Sequence, residues 1–419
     1  MTKKRRQGGR ERKMLTKRLI SVFLVLALLG IICLSIDFVG PAKIPLNNDS
    51  VFGFECLRAH DLVVQEYDVE GNLWASRGMK IYKLDKGSRE FKRIAHVPTG
   101  MTVLWLRDFS IVRWILLRPE CIEMTVAGNG DIHVLSAGRM WHLKRGTKTF
   151  SETLRMAHYG FGDQGIRNDG ILSVKENTIY LGEYFQNPAR TNVNILKSVN
   201  GGTGWTTAYD FQPGQIRHIH AVQKDPFSDS LWVCTGDSDE ESMIAWSGDE
   251  FKTINKLGDG SQLWRACQLV FTKDELIWGT DNGEDTIAGI YGLNRKTAEL
   301  KKYCSVPGAI FFGTRLQGGT IVMSTNRERM ANEKDDKVRL YIKPEGGDIK
   351  VVECGTWNHN KPGFWYKYAM LRLQRYQGAP ALAITCLNQK ELPDSELIII
   401  SEESLLKTWA ESETAKTSN

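Results

Sequence analysis

The stretch Arg217–Asp239, RHIHAVQKDPFSDSLWVCTGDSD, decides how the chain is read. Ile216 to Gln223 is an apolar run with polar residues at its head, and Lys224-Asp225-Pro226 supplies a turn in which proline cannot continue a ladder. Ser230 to Thr235 is a second apolar run, ending in Gly236-Asp237. Two such runs joined by a short turn pair antiparallel, so the head of the first and the tail of the second lie on one sheet edge. That edge carries Arg217, His218, His220 and Asp237.

The arrangement recurs. Hairpins with an aromatic or aliphatic lead and a polar turn begin at Tyr82, Trp141, Leu196, Trp246, Tyr291 and Tyr341, with a weaker seventh at Ile399. The leads fall 59, 55, 50, 45, 50 and 58 residues apart. Four short strands in each such interval is the pattern of propeller blades, which bury their faces only by stacking around an axis. The spacing predicts an all-β chain, a β-propeller of seven four-stranded blades over residues 53–410, with six blades as the alternative. Residues 411–419 read as a polar tail.

Ahead of the repeat, residues 1–18 hold nine Lys/Arg and one acid, Glu11. Taking these from 55 Lys/Arg and 49 Asp/Glu leaves 46 basic against 48 acidic residues, a body near neutral with no footprint for nucleic acid. Leu19 to Ile36, LISVFLVLALLGIICLSI, carries no charge and is long enough to cross a bilayer. Its basic N-terminal flank predicts a single-pass transmembrane signal-anchor with residues 1–18 as a cytoplasmic tail and the repeat outside the cytoplasm. A cleaved secretory signal is the alternative. Residues 37–52 read as a linker. Seven cysteines follow Cys33 at wide spacing without a CxxC, which predicts buried thiols or one or two disulfides rather than a zinc ribbon.

Two hairpins carry a more specific pattern. Ser198-Val-Asn200-Gly-Gly202-Thr-Gly204-Trp205 resembles the Asp-box of sialidase-like (BNR) propellers, S-x-D-x-G-x-T-W, with Asn in place of Asp and Gly in place of Thr. Ser247-Gly-Asp249-Glu-Phe251-Lys-Thr253 resembles a second, degenerate copy. The motif works by a turn carboxylate or amide capping backbone N–H groups while the aromatic packs between blades. The resemblance implies the propeller architecture. The family's Arg-Ile-Pro motif is absent, and Phe91-Lys-Arg93-Ile94 falls on an outer strand.

Aligning the inner strands places Arg167, Arg217 and Arg265 at the heads of three consecutive blades. The second strands end in Glu183-Tyr184, Asp237 and Asp281. Antiparallel pairing brings these acids to the arginines on one face of the disc, a polar funnel that also holds His218 and His220. Arginine forks bind carboxylates bidentately, and Tyr184, Trp264 and Trp357 offer rings to pyranose faces, so an acidic glycan or polysaccharide is the expected partner. Sialidases likewise hold a substrate carboxylate with three arginines, and so resemble this layout. Glu183, Asp237 and Asp281 are the candidate acids for glycoside hydrolysis. His218 and His220 point the same way from a strand, where they can hold a divalent metal with Asp237, supply a base for uronate elimination, or simply line the wall. A non-catalytic scaffold in a cell-envelope or polysaccharide-export complex is the reading from another class.

Overall fold

The computed structural model describes residues 39–98, 106, 108–115, 122–158, 169–175, 177–360 and 368–407. The transmembrane segment 19–36, the basic tail, Cys121, Arg167 and the polar tail lie outside the described residues. Among the described residues no helix is long and apolar enough to cross a membrane.

Seven antiparallel sheets form a seven-bladed β-propeller. Its first blade contains β4 (Val63–Tyr67), β5 (Leu73–Arg77), β6 (Lys80–Leu84) and β7 (Glu90–His96). The second runs from β8 (Glu123–Val126) through β9 (Ile132–Ser136) and β10 (Arg139–Leu143) to β11 (Ser151–Arg155). The third holds β12 (Ile171–Lys175), β13 (Thr178–Gly182), β14 (Val193–Ser198) and β15 (Thr206–Phe211). The fourth holds β16 (Ile219–Lys224), β17 (Leu231–Thr235), β18 (Met243–Ser247) and β19 (Asn255–Leu257). In the fifth, β20 (Ala266–Phe271), β21 (Glu275–Thr280), β22 (Gly289–Asn294) and β23 (Leu300–Ser305) follow in order. The sixth comprises β24 (Ile310–Arg315), β25 (Ile321–Thr325), β26 (Lys337–Lys343) and β27 (Lys350–Thr356). All seven hairpin leads fall on the third strand of a blade.

The seventh blade is composite. Its inner strands β28 (Met370–Leu373), β29 (Ala381–Leu387) and β30 (Glu396–Ser401) come from the C-terminal part of the chain. Its fourth strand is β3 (Phe54–Ala59), which pairs with β30 through Leu57↔Ile399 and Ala59↔Leu397. Residues 43–51, expected in a linker, instead form edge strands: β1 (Lys43–Pro45) extends blade one along β7, and β2 (Asn47–Val51) extends blade seven along β3. The linker reading failed because polar, Pro- and Asn-rich residues suit a solvated edge strand as well as a loop.

Burial explains why the strands sort from axis to rim. β4 and β20 are buried along their whole length, whereas β11, β19 and β23 are polar and largely open on the outside. An inner strand is covered on both faces by neighbouring blades; an outermost strand is not. Apolar clusters fill each junction, for example Trp74, Met79 and Ile81 against Met124, Ile132 and Val134 between blades one and two. At the junction of blades five and six, a Cβ on Gly279 would come within 2.5 Å of Ile310, so only glycine admits that inner strand.

The two Asp-box-like turns join the third and fourth strands of blades three and four. Asn200 Oδ1 accepts from the Gly204 N–H at 2.8 Å, and Asp249 Oδ1 accepts from the Thr253 N–H at 2.9 Å. Ser198 Oγ and Ser247 Oγ accept from the Gly202 and Phe251 N–H groups in the same way. Trp205 packs into the junction of blades two and three, and Phe251 into that of blades three and four. Six cysteines among the described residues are free thiols, all but Cys304 buried.

Candidate functional site at the junction of blades three to five

His218 and His220 stand at the head of β16, where the ladder to β17 slips between Ile219 and Ala221. His220 is the extra residue of that bulge. A bulge re-aims a side chain, and here it turns His220 toward its neighbour. The same slip recurs in β20 between Ala266 and Leu269, which frees Cys267 from the ladder. Asp237 follows β17 on a loop opened by Gly236, whose φ of +152° an L side chain rarely adopts. Arg265 follows a 3-10 turn, Gln262–Trp264.

These elements converge on Asp237. Arg217 Nη1 reaches Asp237 Oδ2 at 2.7 Å, and Arg265 Nη2 reaches Asp237 Oδ1 at 3.1 Å and Asp281 Oδ2 at 3.3 Å. His218 Nε2 and His220 Nε2 lie 3.5 and 3.6 Å from the same Asp237 carboxylate, and 3.1 Å from each other. Each ring turns its Nδ1 to a backbone carbonyl, His218 to Phe185 O at 3.2 Å and His220 to Ala266 O at 3.1 Å. The Tyr184 ring covers His218, centroid to centroid 4.1 Å. Cys267 donates to Asp281 Oδ2 at 3.3 Å.

The electrostatics of this group are unresolved within itself. Burial pushes the His218 imidazole down to about 4, toward its neutral form. Burial would raise the Asp237 carboxyl, but the His218 and His220 imidazoles beside it outweigh that and hold the group well below the usual carboxylate range. Asp237 thus calls for positive charge where burial disfavours it. Burial also works against the Arg265 guanidinium, and Asp281 and Asp237 outweigh it, raising its pKa. Three buried polar atoms at the site, Arg217 Nε, Arg265 Nε and Asp281 Oδ1, have no hydrogen-bond partner among the described residues.

Of the residues expected in the funnel, Arg217, His218, His220, Asp237, Arg265 and Asp281 therefore meet, with Tyr184 against them. Glu183 does not join: its buried carboxylate accepts from Asn194 N at 2.8 Å and Asn194 Nδ2 at 2.9 Å, which ties one hairpin together. Trp264 offers no face to a sugar, because it stacks on Trp278 at 5.2 Å and is closed over by Gly258. Trp357 is likewise buried. Arg167 lies outside the described residues.

A second polar group, absent from the reading of the sequence, fills the axis. Arg372 on β28 makes a two-pronged contact with Glu123 on β8, at 3.0 and 2.8 Å, and donates from Nε to Val64 O on β4. Arg375 Nη2 meets Glu66 at 3.2 Å. Asp169 bridges to Ala221, next to His220. Burial raises Glu66 from 4.5 to about 7 and Asp169 from 3.8 to about 6, against the partial opposition of Arg375. A folded carboxyl raised in this way contributes stability that is fully present below pH ~4 and is lost as pH rises through 6 to 7. Glu66→Gln is accordingly expected to flatten the fall in chemical-denaturation stability between pH 5 and pH 8 by roughly 2 kcal/mol. An unchanged slope in the variant would show that Glu66 is ionised throughout.

No known protein family matches the chain, and no curated protein matches it. Similar solved structures include YCF48 bound to D1 peptide, at 8% identity over 86% of this chain and 96% of that one, TM-score 0.47. U3-55K matches at 11% identity over 83% and 97%, TM-score 0.48. A quinonprotein alcohol dehydrogenase-like protein from Bacteroides thetaiotaomicron matches at 10% identity over 75% and 76%, TM-score 0.46. These likenesses concern the arrangement of blades and carry nothing about ligand or activity.

Proposed function

We propose that this propeller is a membrane-anchored, extracytoplasmic protein of sialidase-like type that binds an anionic polysaccharide in the manner of a uronate-eliminating enzyme. One observation carries the reading: two arginine forks, each with a buried N–H still unpartnered, converge on a single edge built by three consecutive blades. Unmet buried donors favour a ligand that accepts, and a carboxylated sugar ring supplies both acceptors and hydroxyl donors, the latter suiting Asp281 Oδ1. Hydrolysis fits less well, because it needs one protonated carboxyl and Asp237 is held ionised. The scaffold reading calls for a broad apolar patch; among the described residues, Ile94, Leu300 and Val351 are exposed on outer strands of three different blades. The anchor rests on residues 19–36. The six residues from there to Lys43 reach at most ~25 Å, which would hold the rim of blades one and seven beside the bilayer.

The test is binding of the full chain, in detergent micelles, to polygalacturonate and to a neutral glucan of equal length. Wild type is expected to hold the polyuronate selectively. Arg217→Lys and Arg265→Lys, which keep charge but lose the fork, are expected to weaken it at least tenfold with little change in Tm. Equal retention of the neutral glucan, or unaltered binding by both variants, refutes the proposal.

A further inference from the structure

The pair of histidines poses a problem that carboxylated ligands do not solve. Both Nδ1 atoms face backbone carbonyls, which can only accept. That assigns the ring protons to Nδ1 and leaves each Nε2 with a bare lone pair. The two lone pairs face one another at 3.1 Å inside a site where the rings are 2% and 1% exposed, and both also face a carboxylate. The Arg217 and Arg265 guanidiniums reach Asp237, but among the described residues the geometry gives neither ring Nε2 a donor of its own, and facing lone pairs are unfavourable unless something positive sits among them.

We propose that His218, His220 and Asp237 bind one divalent cation of the zinc class. The spacing supports it. The two Nε2 atoms are 3.1 Å apart, and each lies 3.5 or 3.6 Å from its own oxygen of the Asp237 carboxylate, close to the tetrahedral edge of about 3.3 Å for metal–ligand bonds of about 2.0 Å. The backbone contacts at Nδ1 are the outer partners that fix ring orientation at metal sites. Two imidazoles and one carboxylate suit zinc, cobalt or nickel rather than magnesium or calcium. Three protein ligands leave a fourth position for water or an anion, beside Arg217 and Arg265. These arginines share the Asp237 charge and weaken the site, while Asp281 on Arg265 offsets part of that.

A rival group lies alongside: His220, Cys267 and Asp281 also place donor atoms near one another. It is the poorer site, because His220 would have to give up its Ala266 contact and Cys267 already donates to Asp281. The two are separable by spectroscopy, since a thiolate ligand gives a sulfur-to-metal charge-transfer band and nitrogen or oxygen ligands do not.

The experiment is titration of the chelator-treated full chain, in detergent micelles, with Co²⁺ and with Zn²⁺. The expected result is one equivalent bound, intense visible cobalt bands of low-symmetry four-coordination, no thiolate charge-transfer band, and a higher Tm with metal. His218→Ala and His220→Ala should abolish uptake, and Cys267→Ser should retain it. Should the alanine variants fail to fold, the isosteric Asp237→Asn serves in their place, with affinity lowered at least tenfold. Absence of saturable uptake, a thiolate band lost in Cys267→Ser, or uptake untouched by the histidine and Asp237 variants would each overturn the assignment. The first of these outcomes would leave a proton shared between the rings as the positive charge. Glycan binding is read separately, so failure here leaves the arginine-based reading standing or falling on its own test.

Discussion

A chain shortened to begin at residue 60 loses its cooperative unfolding transition, while one beginning at residue 39 keeps it. The reason is the composite seventh blade. β3 is the strand that covers the outer edge of β30, and removing it bares a ladder carrying Leu397 and Ile399. It also takes Val51, Phe54, Cys56 and Ala59 out of the apolar cluster that runs through blades six, seven and one. At ~1.5–3 kcal/mol for each large buried side chain, the loss approaches the 5–15 kcal/mol that a folded domain holds in total. Arg58 adds a local cost, because Glu396 is buried against Arg58 Nε at 2.5 Å and would be left with His60 alone. Circular dichroism during urea titration, with limited proteolysis beside it, reads the result. A shortened chain that unfolds in one sharp transition at the wild-type midpoint would show that the ring closes without its N-terminal strand.

The ring was legible in the sequence because each blade repeats one hairpin with an aromatic or aliphatic lead, from Tyr82 to Ile399. The period survives even though the strands themselves vary. The closing strand was not legible: β3 reads like any other amphipathic run, and nothing local to Phe54–Ala59 says that its partner lies at Glu396–Ser401. The funnel was legible as a set of strand heads and tails, since antiparallel pairing dictates which ends meet. Its interior was less so. Glu183 and Trp264 sit at the expected ends of strands, yet one carboxylate caps Asn194 and one ring stacks on Trp278. Strand register gives the edge on which a residue falls, whereas these outcomes depend on which neighbour reaches it first. The bulges at His220 and Cys267 escaped for the same reason. A one-residue bulge changes no residue type, so the sequence gives no sign of where it falls. Glu66, Glu123, Arg372 and Arg375 escaped because an isolated charge in an apolar strand usually reads as solvent-facing, and only the closed ring turns it toward the axis.

That axial group sets the second large effect. Arg372→Ala is expected to destabilise the propeller by about 3–5 kcal/mol. The side chain is 1% exposed and spans three blades: it arises from blade seven, bonds a backbone carbonyl of blade one, and grips Glu123 of blade two with both terminal nitrogens. Removing it leaves a carboxylate and a carbonyl without this donor in a place water reaches poorly, and opens a void among the inner strands. The ion pair itself accounts for less than this figure suggests, because burying two charges costs nearly what their attraction returns. Arg372→Met combined with Glu123→Gln should therefore recover most of the loss, and the double-mutant cycle should show strong coupling between the two positions. If Arg372→Ala alone costs less than about 1 kcal/mol, the axis is wet and Glu123 finds other partners. The same variants bear on the site beside it. Asp169 and Ala221 link the axis to His220, so a loss confined to stability, with cobalt uptake at His218, His220 and Asp237 unchanged in the folded fraction, separates the polar axis that closes the ring from the cluster that would hold the metal.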